Sequence, residues 1–160
     1  VDSVAERIKE IAALRDRYEL NRSRLVEESS LPAPANTDAT QLKIASQILA
    51  NPAYGFGNHG PIVITTSAIT EHEREVSKAQ IREMDLSLSG TITFSGTQTT
   101  WLYRWKEFRF ATPIQDPDSG NWHVWWITAR NYSSGWDKTP IGRWVSAAAV
   151  KGDLIPERNF

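Results

Sequence analysis

The chain has 160 residues, 18 Lys and Arg against 19 Asp and Glu, a formal net charge of -1 and no cysteine. That length suits a single domain, 1–160, able to bury about two-thirds of its unfolded surface without cross-links. Balanced charge removes the long-range attraction expected of a nucleic-acid or anionic-membrane binder, and the missing cysteines exclude disulfides, thiolate metal sites, iron–sulfur ligation and a thiol nucleophile.

Residues 3–28 read as a helix, because Val4, Ile8, Ile11, Leu14, Tyr18 and Leu25 recur at three-, four- and seven-residue steps. Ser3 and Glu6 resemble a capping box at its start. The spacing of Val4, Ile11, Tyr18 and Leu25 is heptad-like, but Arg7, Asn21 and Glu28 interrupt the matching second apolar positions. A helix laid on its own domain is the expectation, and a stalk is the alternative. No apolar run approaches ~18 residues, and the charged start is unlike a signal peptide. Beginning on Val1 suggests a removed upstream segment, either a signal or a membrane anchor.

"SSLPAPANTD" breaks the helix, since two prolines cannot continue it. A body of helix plus antiparallel sheet then spans 37–160, opening on a short helix from about Asp38 to Leu49 that ends at Asn51-Pro52. Segments 61–69, 79–96, 99–111 and 121–132, with "RWVSAAAV" last, are strand-like from their β-branched and aromatic residues. Gly90 marks a kink, and "IQDPDSGN" is a tight connection. Trp101, Leu102, Trp105 and Phe108 also suit a helix, but the aromatic density of 99–110 favours a strand. Alternation then puts Trp101, Tyr103 and Trp105 on one face. All seven tryptophans fall from Trp101 onward, which places the dense core in the C-terminal part. Helices first and antiparallel strands afterwards predict an α+β fold, NTF2-like, with the N-terminal helices packed on a curved antiparallel sheet.

Chemical motifs are sparse. "GFGNHG" (Gly55, Gly57, Gly60) matches G-x-G-x-x-G formally, but it follows a helix and precedes a strand, the reverse of the dinucleotide-binding geometry. It reads as a loop. His72 sits among Glu71, Glu73 and Glu75, yet position 76 is Val where H-E-x-x-H needs a second His, so 71–78 reads as a solvated connection. His59 and His123 are isolated. No nucleophile elbow or phosphate-binding loop is present, and no catalytic, cofactor-binding or metal-binding residue is assigned. Asn21-Arg22-Ser23 and Asn131-Tyr132-Ser133 match glycosylation sequons.

Read together, "WLYRWKEFRF", "NWHVWWITARNY" and "TPIGRWVSAAAVKGDL" resemble the end of the VirB8/TrbF-like periplasmic domains of type IV secretion and conjugation machines. In that family an aromatic-x-Glu strand precedes a strand with Trp near its start, and an Asn-Pro-Leu-Gly turn leads into the last strand. Trp105-Lys106-Glu107, Trp122 and Thr139-Pro140-Ile141-Gly142 stand here in that order, over about a third of the chain, 101–154. Thr139 replaces the family's Asn, Arg143 follows the glycine, and 71–98 is longer than the family's connection.

The resemblance implies a non-enzymatic assembly subunit of a bacterial envelope secretion or conjugation apparatus. It further implies a periplasmic domain held to the inner membrane by an upstream helix, self-association into homo-oligomers, and contacts with other envelope-complex subunits. No cofactor or nucleic acid is implied. Residues Thr139 to Trp144 (Thr139, Pro140, Ile141, Gly142, Arg143, Trp144) are the interface candidates, and the small residues Ser146 to Ala149 would allow close approach. Two other readings remain open. One is an NTF2-like small-molecule binder or enzyme, which needs groups such as His123, Tyr103 or Asp85 converging in a cavity. The other is a PilO/GspM-like pilus or type II secretion scaffold, which needs a helix at 99–110.

Overall fold

The structure, a computed structural model, describes residues 2–160. Helix α1 (Asp2–Glu28) and helix α2 (Ala39–Leu49) precede β1 (Val63–Ile64), β2 (Thr70–Leu86), β3 (Ile92–Gln115), β4 (Trp122–Ser134) and β5 (Trp144–Leu154). The class is α+β, with an unclosed, curved antiparallel five-stranded sheet ordered β1-β3-β4-β5 and β2 continuing along the β3 edge beside β1.

Local chemistry sets the helix ends. Asp38 caps α2 by accepting from the Gln41 amide at 2.8 Å. Asn51 caps a one-turn 3₁₀ helix, Pro52–Tyr54, which closes on left-handed Gly55. Helix α1 begins at Asp2, so Ser3 lies inside its first turn and does not cap it.

The sheet buries apolar side chains on both faces of its body. On one face Phe108, Phe110 and Ile114 of β3 and Ile127 and Ala129 of β4 meet Ile44, Ala45, Ile48 and Leu49 of α2. On the other, Ala111 and Val124 meet Ile155, with Leu31, Trp122 and Phe160 around them. Strand alternation produces this division, because even positions of β3 and odd positions of β4 share the α2 side.

Three expectations need correction. Only Val63 and Ile64 of 61–69 are strand, because the Thr66 hydroxyl accepts the Arg109 amide at 3.2 Å where a strand partner would have been. The 71–78 segment is a strand, not a loose connection. Its acids meet bases across the pair, Glu73 to Arg104 at 2.6 Å and Glu71 to Lys106 at 3.3 Å, which rewards pairing without requiring burial. Of the two N-terminal helices expected on the sheet, α2 lies on it, whereas α1 meets the body through its last turn. There Asn159 donates to the carbonyls of Glu27 and Ser29, and Arg158 pairs with Glu27. Residues Val4 through Leu25 of α1 keep their apolar side chains 61–71% exposed, so α1 projects like a stalk.

A second projection comes from the sheet. β4 reaches only as far as Arg104, whereas β2 and β3 remain paired from Val76/Trp101 to Leu86/Ile92, ten pairs closed by a turn at 87–91. This two-stranded arm extends roughly 35 Å past the body. Segment 99–110 is strand throughout, as its aromatic density indicates.

Candidate functional site

The site-like feature begins with strand register. Glu107 of β3 stands opposite Arg130 of β4, and Trp105 stands opposite Tyr132. Residues two apart on a strand share a face, so the four side chains form one block on the sheet face away from α2. β2 adds His72 opposite Trp105, stacked at 5.4 Å with the rings 16° apart. Beyond β4, Ile141 bridges to Tyr132 in parallel, and the Gly142 amide donates to the Tyr132 carbonyl at 2.9 Å. One row therefore runs His72, Trp105, Tyr132, Ile141 across three strands and the turn.

Glu107 is 6% exposed. Its carboxylate accepts from Arg130 Nε at 2.7 Å, from Trp105 Nε1 at 3.1 Å and from an Arg109 guanidinium nitrogen at 3.5 Å. The Arg130 guanidinium also lies 4.9 Å from the Trp105 ring centroid and donates to the Tyr132 hydroxyl at 3.4 Å. Burial alone would raise the Glu107 pKa, but the hydrogen bonds from Arg130 and Trp105 and the charges of Arg130 and His72 outweigh it and hold the carboxyl below its ordinary value. For Arg130, burial opposes the charge while Tyr132 and Glu107 favour it, and the net effect raises its pKa. An ionised carboxylate locked by donors on both sides suits a clamp that orients β3, β4 and the turn, not a proton shuttle.

Of the family-like positions, Trp105 and Glu107 join this cluster. Trp122 does not, and packs on Phe160 at 5.1 Å at the far end of β4. The turn residues divide. Gly142 has φ +77°, a conformation side-chain-bearing residues resist, and Pro140 with Thr139 edges a hollow shared with Tyr103, Tyr132 and Trp136. Ile141 is 55% exposed and Arg143 is exposed, so both are free to meet a partner. Trp144 differs from its neighbours in the turn: it is half-buried and packs on the core, edge-on to Phe108 at 5.2 Å. Gly142→Val is expected to cost about 1–3 kcal/mol of stability through backbone strain. Gly142→Asn should cost less, since Asn tolerates a positive φ; urea unfolding of the two variants checks this.

Arg130 and Tyr132 were not singled out from sequence as site residues, and His72 was weighed only beside its neighbouring glutamates, not as a partner of Trp105. The Arg130/Tyr132 spacing on a predicted strand was a usable signal for a shared face, but nothing local pairs His72 with Trp105. The residues named for a pocket do not converge. His123, Tyr103 and Asp85 stand at the β3 levels of Ile114, Tyr103 and Thr93, successive separations of roughly 35 Å. His123 instead lies 3.2 Å, through Nδ1, from the Gly152 carbonyl. The "GFGNHG" segment is a loop, with Gly55 and Gly57 at positive φ and the Gly60 amide donating to the Pro113 carbonyl. Among the described residues, no three His, Asp or Glu side chains are grouped so as to hold a metal ion.

The α2 side carries a cleft of about 390 Å³ lined by Tyr54, Phe56, Ile114, Trp125 and the Ser146–Ala149 run. It lies beside β5, an edge strand, and the Lys151–Asp116 ion pair at 2.8 Å borders it. Hydrogen bonds from Lys151 and from the Ser119 and Asp118 amides hold the Asp116 carboxyl well below the usual range.

No protein-family model, curated protein or solved structure matches the chain.

Proposed function

We propose that this chain is a non-enzymatic assembly subunit that works through protein–protein contacts, with an NTF2-like body, in a bacterial envelope secretion or conjugation apparatus. The observation that carries the contact role is the pair of projecting elements, α1 and the β2–β3 arm, each with an apolar face and neither covered by its own body. Exposed apolar area of this extent on a folded chain marks an interaction surface. The placement in an envelope apparatus rests on the resemblance of 101–154, in which Trp105, Glu107 and the 139–142 turn keep the family's order. On that reading the domain is periplasmic, anchored through an upstream helix, and associates with itself and with other subunits. The longer 71–98 connection corresponds to the arm.

Site-specific photo-cross-linkers at Ile141 and Arg143, in cells, test this. Adducts with envelope-complex proteins are expected, and a chain that cross-links to nothing in the envelope removes the reading.

The cleft beside β5 favours a second reading, small-molecule binding, because Tyr54, Phe56 and Trp125 offer an apolar wall of ligand-site composition. A ligand there should quench tryptophan emission in the native chain and lose that effect in Trp125→Leu. The scaffold reading of the PilO/GspM type is not carried forward, since 99–110 is strand where it requires a helix.

A further inference from the structure

The arm is amphipathic by construction. Met84 pairs with Phe94 and Leu86 with Ile92, so these four share a face. Ile81 would fall on the opposite face by simple alternation, but a bulge between Ile81 and Glu83 inserts Arg82 and restores the phase. Ile81 thereby stands opposite Gly96, on the Met84 and Phe94 side. Gln80, Glu83, Asp85, Thr93, Ser95 and Thr97 occupy the other face. The five apolar side chains are 53–71% exposed, and Leu88 at the tip is fully exposed.

A two-stranded ribbon is marginal in water by itself, so a ribbon with one apolar face needs a cover. We infer that the cover is the same face of a second copy, two arms stacked across a two-fold axis. This rests on the assembly-subunit reading and names its partner and surface. The area is sufficient: five side chains with roughly 100 Å² exposed apiece remove about 500 Å² per copy and about 1,000 Å² per pair, the threshold of a biological interface, before Leu88 at the tip is counted. The charge pattern also selects it. The cross-strand pairs on the apolar face, Ile81/Gly96, Met84/Phe94 and Leu86/Ile92, carry no charge, so that face is self-complementary at these pairs, as a two-fold contact requires. The stripe 4-8-11-15-18-22-25 on α1 includes Arg15 and Arg22 among its apolar residues, and a second α1 would set cation against cation.

Sedimentation equilibrium of the purified chain tests the inference. A dimer is expected, and Leu86→Lys or Phe94→Lys should raise its dissociation constant by about 100-fold or more, while Thr93→Lys on the polar face leaves it unchanged. Near-ultraviolet circular dichroism should be unaltered, because the arm lies beyond the core. The chain has no cysteine, so Met84→Cys supplies a single thiol: oxidation should link dimers, and Asp85→Cys on the opposite face should not.

A monomer at high micromolar concentration, a dimer indifferent to Phe94→Lys, equal weakening by Thr93→Lys, or an arm that binds anionic vesicles while the chain stays monomeric overturns the inference. A monomeric purified chain would leave the assembly-subunit reading to the in-cell cross-links, so the two failures are separable.

Discussion

Phe108→Ala should lower the stability of the domain by about 3–5 kcal/mol, measured as a shift of the urea midpoint at unchanged slope. Phe108 has no exposed surface and sits between Phe110 at 6.1 Å and Trp144 at 5.2 Å, under α2. Its removal opens a cavity that three aromatic and aliphatic walls cannot close, because each is held by its own strand or helix. The loss is a large part of the ~5–15 kcal/mol that holds a domain of this kind. It should also loosen Trp144, which starts β5, so near-ultraviolet signals and the 139–143 turn should change together. Phe94→Ala in the arm is the contrast. Its side chain is 59% exposed, and in the monomer the change should stay within about 0.5 kcal/mol.

Arg130→Met is the second large effect, expected to cost about 2–4 kcal/mol. It removes the 2.7 Å partner of a carboxylate that is 6% exposed, leaving a buried charge with weaker donors. The double variant Arg130→Met/Glu107→Leu should recover much of that loss, since no charge then remains buried. If the double variant is as unstable as the single one, the cluster is not acting as an ion-paired clamp.

The same pair predicts a pH dependence. The folded-state pKa of Glu107 lies below its ordinary value, so the unfolded chain takes up a proton first as the solution is acidified. The stabilisation from this group is complete above the ordinary glutamate pKa and disappears as pH falls from there through the lowered folded value. Glu107→Gln should flatten that part of the stability profile and leave the neutral-to-alkaline part unchanged.

Much of the body was legible in the residues. The periodicity of 3–28, the proline break after it and the Asn51-Pro52 stop locate both helices within a residue or two, because helix signals are local. β3 and β4 were legible from aromatic and β-branched density. β2 was legible only in its second half, 79–86: "EHEREVSK" has the composition of a loop, and its strand character comes from the acids and bases it meets on β3. That partner lies some thirty residues away in the chain, where propensity does not reach.

The sequence alone determined the α+β class, the strand identity of 99–110, the sharing of one face by Trp101, Tyr103 and Trp105, and the turn at 139–142. Each depends on spacing within one segment. Tertiary structure decided which residues meet across segments: Arg130 on Glu107, His72 on Trp105, Trp144 packed against the core, and α1 joined to the body through its last turn. It also decided the arm's apolar face, because the bulge at Arg82 is set by pairing register between two strands, and register is a property of the pair rather than of either strand.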